Sequence, residues 1–316
     1  MTIHAPSTCV TAYADARAVL DEPQLVPEPA VVPDAPEGTL AWLRATVARF
    51  TGDACVHARR RARTVVELAR LDPGELRQTA AGSPVGADDR HRVIRILAEA
   101  LGLPGPDAVA DAVITVAAGY FGGELTPSQV KAADEAVASL LARTAGADAE
   151  ADPDAAAQRI GLLVQACDAT ARLVEHARRC APDGLPPGGA GALLAQVLRH
   201  DPPVTALRRQ ALADIRVGTL DLQAGEVVLI DVTAAKPGAT ADPSDPDTGT
   251  DDEQAHLAFG AGPHRCPGQA QALALAAGLL ERDDPAAQVT DAVARVLDLA
   301  GAVGRLGESA DPEEQV

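Results

Sequence analysis

Along much of the chain apolar residues recur every third or fourth position, and that spacing predicts helices. The longest such run is Gln158 to His176, QRIGLLVQACDATARLVEH, whose apolar stripe predicts a long buried helix. Asp88–Leu101, Ala108–Phe121, Pro127–Thr144 and Gln269–Leu280 show the same period, with a Gly122-Gly123 turn between the second and third. Shorter helical patterns cover Thr39–Phe50, with Trp42 and Phe50 as packing residues, and Leu193–Val204. Another continues from Val65 to a break at Gly82-Ser83-Pro84, and one more spans Val289–Leu299. Val10–Leu20 reads as a short strand leading into a helix. Ile215–Val232 alternates with period two and predicts a β-hairpin turning at Ala224-Gly225. Asp21–Gly38, rich in proline and acid, predicts a loop.

Composition narrows the picture. With 47% hydrophobic residues in 316, the chain can bury a sizeable core, and 2% aromatics make that core aliphatic. No apolar run reaches the length of a membrane span, and Met1–Val10 lacks the order of a signal peptide. The expectation is a soluble, cytoplasmic protein. A formal net charge of -18 argues against general nucleic-acid binding, which needs a basic footprint. Acid concentrates in residues 237–254, predicted to be a mobile loop, and in residues 307–316, predicted to be a disordered tail. Residues 1–306 are expected to form one domain. The five cysteines are scattered, and no CxxC pair suggests zinc.

Candidate chemistry centres on His256–Gly268, HLAFGAGPHRCPG. Gly260 and Gly262 can take positive φ and let backbone approach a flat ligand. Pro267 and Gly268 suit a first helical turn, so Cys266 is expected at a helix N-terminus, where a thiolate is favoured. Such a thiolate is a metal ligand or a nucleophile; the alternative is a small buried hydrophobe. A thiol redox enzyme is a further reading, though no resolving cysteine lies nearby. His57 and Arg61 are four apart, share a helix face and suit carboxylates, or else form a solvated basic face. Arg59, Arg60 and Arg63 add a local basic patch. Thr170 offers a hydroxyl on the long helix, for proton delivery or for a bond to the preceding turn. Asp168 is two residues away, and each residue turns the helix by about 100°. Tyr120 and Phe121 face either substrate or core.

Phe259, Gly262, His264, Cys266 and Gly268 fit Phe-x-x-Gly-x-His/Arg-x-Cys-x-Gly, and the chain therefore resembles the cytochrome P450 family from Val10 to about Arg282. The resemblance implies a mainly α fold with a small β-sheet, in a reduced P450-like form. It implies haem b (iron protoporphyrin IX) between the Gln158–His176 helix and the cysteine loop, with Cys266 as the metal ligand. Phe259, Gly260, His264 and Gly268 would belong to the cofactor loop, and His57, Arg61, Arg209 and His264 would meet the propionates. Thr170 would be the oxygen-activating alcohol. Ala169 holds the family's acid position, and the carboxylate has moved to Asp168. The implied activity is a monooxygenase or peroxygenase oxidising a small organic substrate, as in secondary metabolism. Electrons would come from a ferredoxin and its reductase, with an acidic ferredoxin docking on the arginine patch. Arg199 matches the family's Glu-x-x-Arg, but Gln196 replaces the glutamate, and residues 236–256 hold no arginine to complete the triad. Those departures support the alternative, an impaired P450-like auxiliary partner that stabilises another biosynthetic enzyme.

Overall fold

The structure, a computed structural model, describes residues 8–30, 34–84, 88–145, 152–236 and 256–285. The expectations for residues 237–254, for Val289–Leu299 and for the acidic tail lie outside the described residues.

Ten helices and six strands are described. A long helix, α8 (Pro153–Cys180), runs through the middle of the helical body. At 1.5 Å per residue it is about 42 Å long. Around it lie α3 (Ala54–Leu68), α5 (Asp89–Ala100), α6 (Pro106–Tyr120), α7 (Pro127–Ala145), α9 (Gly189–His200) and α10 (Gln269–Asp283). The shorter α1 (Tyr13–Asp21), α2 (Leu40–Thr46) and α4 (Pro73–Ala81) complete the body.

Part of the acid excess is used for starting helices. Asp53, Asp72, Asp88 and Asp152 each accept a hydrogen bond from a first-turn backbone N–H of α3, α4, α5 and α8, which satisfies an otherwise orphaned donor. Pro73 and Pro153 follow two of these caps, where a missing N–H is harmless. The Asp72-Pro73 step also corrects the expected continuous helix from Val65 to Gly82. The chain leaves α3 after Leu68, turns, and restarts at Pro73.

The small sheet has the order β1-β6-β3-β2, from β1 (Thr8–Val10), β6 (Val227–Asp231), β3 (Ala206–Ala211) and β2 (Leu25–Val26). β1 lies parallel to β6, and the other two pairings are antiparallel. The expected single hairpin over Ile215–Val232 is corrected. β4 (Ile215–Val217) and β5 (Leu220–Leu222) pair with each other across Gly218, which takes φ 58. The Ala224-Gly225 turn instead returns β6 onto β3. β2, in the segment expected to be loop, adds the edge.

Charge pairs tie the helices that flank the centre. Arg159 on α8 holds Glu67 on α3 through two hydrogen bonds of 2.8 and 3.0 Å, with both side chains mostly buried. Asp89 on α5, Arg178 on α8 and Asp283 at the end of α10 are joined in one cluster with Arg92. α10 also lies against α4, and Gly278 makes that approach possible: a Cβ there would meet the Arg77 carbonyl oxygen at 2.2 Å and the Ala80 Cβ at 2.7 Å. Gly278→Ala is therefore expected to push α10 off α4 and destabilise the fold by about 1–3 kcal/mol. A lowered urea midpoint at constant slope would show it; an unchanged midpoint would contradict this packing.

Candidate active site

Between α8 and the segment leading into α10 lies a cavity of ≈ 310 Å³. That is within the range of small-molecule sites, roughly 300–1,000 Å³. One wall is a single stripe of α8, with Gln158, Leu162, Gln165, Ala169 and Leu173 among the residues at helical spacing. The opposite wall is the loop from Ala258 to Gly268 together with Gln271, Ala272 and Leu275 of α10.

Cys266 lines this cavity and is exposed, so its accessible surface opens into the void. The loop is pinned by its own backbone. Cys266 N–H donates to the Phe259 carbonyl at 2.8 Å, and Arg265 N–H to the Gly262 carbonyl at 3.1 Å. Gly260 and Gly262 take φ 70 and 63. Only one of them serves as the sequence reading has it. Gly260 lines the cavity, whereas Gly262 packs on α1, where an added Cβ would fall 2.4 Å from the Leu20 carbonyl oxygen. α10 begins at Gln269 with Gly268 as its N-cap, so Pro267 and Gly268 precede the first turn in which they were expected, and Cys266 stands just before the helix. Burial pushes its thiol pKa up, while the Gly268 N–H and the charges of Arg61 and Arg265 pull it back.

The rim is cationic. His57 (8% exposed) and His264 pack with ring centroids 4.3 Å apart at an interplanar angle of 50°, and Arg61 and Arg209 share the same lining. Arg61 Nη2 donates to the Arg265 carbonyl at 2.6 Å, so α3 grips the residue next to Cys266. Arg209, on β3, is 3% exposed, and its Nε has no hydrogen-bond partner among the described residues. Burial, then the neighbouring Arg49, lowers its pKa to about 9. Burial and the positive groups around it lower His264 to about 3. No Asp or Glu lines the cavity among the described residues.

These observations test whether haem fits. A buried guanidinium with an unused N–H is costly unless an anion meets it. Two propionates would supply that charge, and the Cys266 thiol open to the same void would supply a metal ligand. The residues fit the group.

Thr170 is 2% exposed and lines the cavity. Thr64 and Thr115 bond the carbonyl four residues back, but Thr170 makes no such bond among the described residues. Ala169 also faces the void. Asp168 does not: it is absent from the lining and lies near Arg90 of α5 and Cys167. Phe259, His264, Gly260 and Gly268 are all in the lining. Of the aromatic pair, Phe121 lines the cavity and Tyr120 is buried in the core. The basic patch is reduced. Arg60 and Arg63 hold Asp154, and Arg63 also holds Asp152, so their charges are spent on the start of α8. Arg49 was not anticipated. Its only sequence signal is a charge set directly beside Phe50 in an otherwise apolar turn, Val47-Ala48-Arg49-Phe50.

No family model matches the sequence, and no curated protein matches it. Solved structures do. P450BioI, in complex with an acyl carrier protein ligated to hexadec-9Z-enoic acid, is 17% identical with a TM-score of 0.62, over 86% of this chain and 83% of that one. Cytochrome P450 CREJ in complex with (4-ethylphenyl) dihydrogen phosphate is 19% identical with a TM-score of 0.60, over 87% and 83%. The thermophilic cytochrome P450 from Sulfolobus tokodaii is 16% identical with a TM-score of 0.62, over 89% and 87%. No helix among the described residues is long and apolar enough to cross a membrane. The thiol-bearing bend that faces a long helix thus sits on a known frame, and this chain has the cytochrome P450 fold in a shortened form.

Proposed function

We propose that the chain is a haem-thiolate oxidoreductase of the P450 type that oxidises a small organic substrate. The observation that carries this reading is a thiol opening into a cavity whose lining holds the buried Arg209, with an unpartnered Nε, together with Arg49 and Arg61. Haem b, when bound, supplies an iron centre whose thiolate ligand favours O–O cleavage.

The chain's own residues have separate tasks. Cys266 ligates, and the Gly268 N–H stabilises its sulfur. Arg61 holds the ligand loop through the Arg265 carbonyl while its remaining N–H groups are available to a carboxylate. Arg209, His57 and His264 complete the propionate set. Leu162, Leu173, Leu198 and Val204 make an apolar wall that excludes water from the reacting side. Thr170 presents its hydroxyl to that side and can hand on a proton there, while Ala169 leaves the chain without a carboxylate in the helical stripe. Two electrons from a ferredoxin and its reductase would serve the monooxygenase form. Hydrogen peroxide would serve as oxidant and proton source in a peroxygenase form, which Ala169 favours.

The second reading, an auxiliary partner of another enzyme, is favoured by the same Ala169 and by Gln196, which is exposed on α9 where the family has its glutamate. A haem titration separates the two. Uptake of one haem per chain is expected, with Arg209→Gln weakening retention by about tenfold, the size of one charged hydrogen bond. No uptake would leave the auxiliary reading. Thr170→Ala is expected to keep its haem but to consume more reducing equivalents per product. Equal coupling in variant and parent would remove Thr170 from the reaction.

A further inference from the structure

On the haem-thiolate reading, the charges in the cavity do not balance. The two propionates would meet two fixed cations, Arg61 and Arg209, with His57 and His264 as further donors. Arg49 is a third guanidinium in the same lining. It stands on the single helical turn Ala48–Phe50, and its guanidinium carbon lies 5.3 Å from the Phe50 ring centroid and 5.9 Å from that of Phe121. The rings orient the group and attract it weakly, but they carry no net charge. Arg44 stacks on Phe50 as well, at 4.9 Å, and strengthens the positive field. The acid whose charge Arg49 feels is Glu28, and Glu28 is already held by Arg208 Nε at 2.6 Å. The apolar residues beside Arg49 in the lining, Pro27, Val47 and Phe121, offer room for a hydrocarbon body next to the charge.

We propose that Arg49 anchors the acidic group of the substrate, and that the substrate is a small organic carboxylate with an apolar body. One surplus positive charge calls for one negative charge. A planar guanidinium held by its ring neighbours is suited to bind a carboxylate through two parallel hydrogen bonds. The negative charge of such an anion would offset the cost of burying Arg49 and its repulsion of Arg209.

Calorimetric titration of the haem-loaded protein tests the assignment. The probes are straight-chain carboxylates from butyrate to dodecanoate, each compared with its neutral primary amide. At the best chain length the carboxylate is expected to bind about tenfold or more tighter than the amide. Arg49→Gln should abolish that preference and Arg49→Lys, which keeps the charge but not the two parallel hydrogen bonds, should retain only part of it, both with haem content unchanged. A series in which no carboxylate outbinds its amide overturns the proposal and leaves the haem-thiolate reading standing. So does a preference that survives in Arg49→Gln. Loss of haem in Arg49→Gln with the preference intact assigns Arg49 to a propionate, and likewise overturns it. If the parent takes up no haem at all, the oxidoreductase reading fails and this proposal falls with it.

Discussion

Uncompensated positive charge around a void is the constraint on which this structure turns. Arg209 is almost fully buried with an idle donor, Arg49 and Arg61 face the same space, and no carboxylate among the described residues lines it. Each uncompensated buried charge costs several kcal/mol. A fold that keeps such groups together either wastes stability or receives anions from outside. The second account explains the cluster with one ligand, because a cofactor with two carboxylates would neutralise most of it and fill the gap between α8 and the ligand loop.

The frame exists to hold two walls of that void at a fixed separation. α8 supplies a flat stripe, and its ties to α3 through Arg159–Glu67 and to α5 and α10 through the Arg178 cluster keep it from sliding. On the other side, Gly278 lets α10 press on α4, and Gly262 lets the ligand loop press on α1. These contacts lie away from the cavity, yet they set where Cys266 and Thr170 stand relative to each other.

Much of this was legible in the sequence because it rests on local spacing. The cysteine loop is a contiguous pattern, α8 has an uninterrupted apolar stripe, and His57 and Arg61 are one helical turn apart. All of these come together in one cavity. What escaped was decided by distant partners. Nothing local shows that Arg60 and Arg63 are taken by Asp154, since those residues are over ninety positions apart. The strand pairing of β6 with both β1 and β3 is likewise non-local, and the alternation over Ile215–Val232 predicted only a hairpin. Arg49 gave no signal beyond its place next to Phe50, and only the packed structure turns it toward the cavity. Asp168, a candidate beside Thr170 in the sequence, is a correction: it is absent from the cavity lining and lies near Arg90.

The central claim is that Cys266 reaches an iron centre across this cavity as a thiolate. The absorption spectrum of the haem-loaded, chemically reduced protein under carbon monoxide tests it most directly. The account predicts the red-shifted Soret band of thiolate ligation in the parent and its loss in Cys266→Ala. A parent spectrum without that band, or one that Cys266→Ala leaves unchanged, would contradict it.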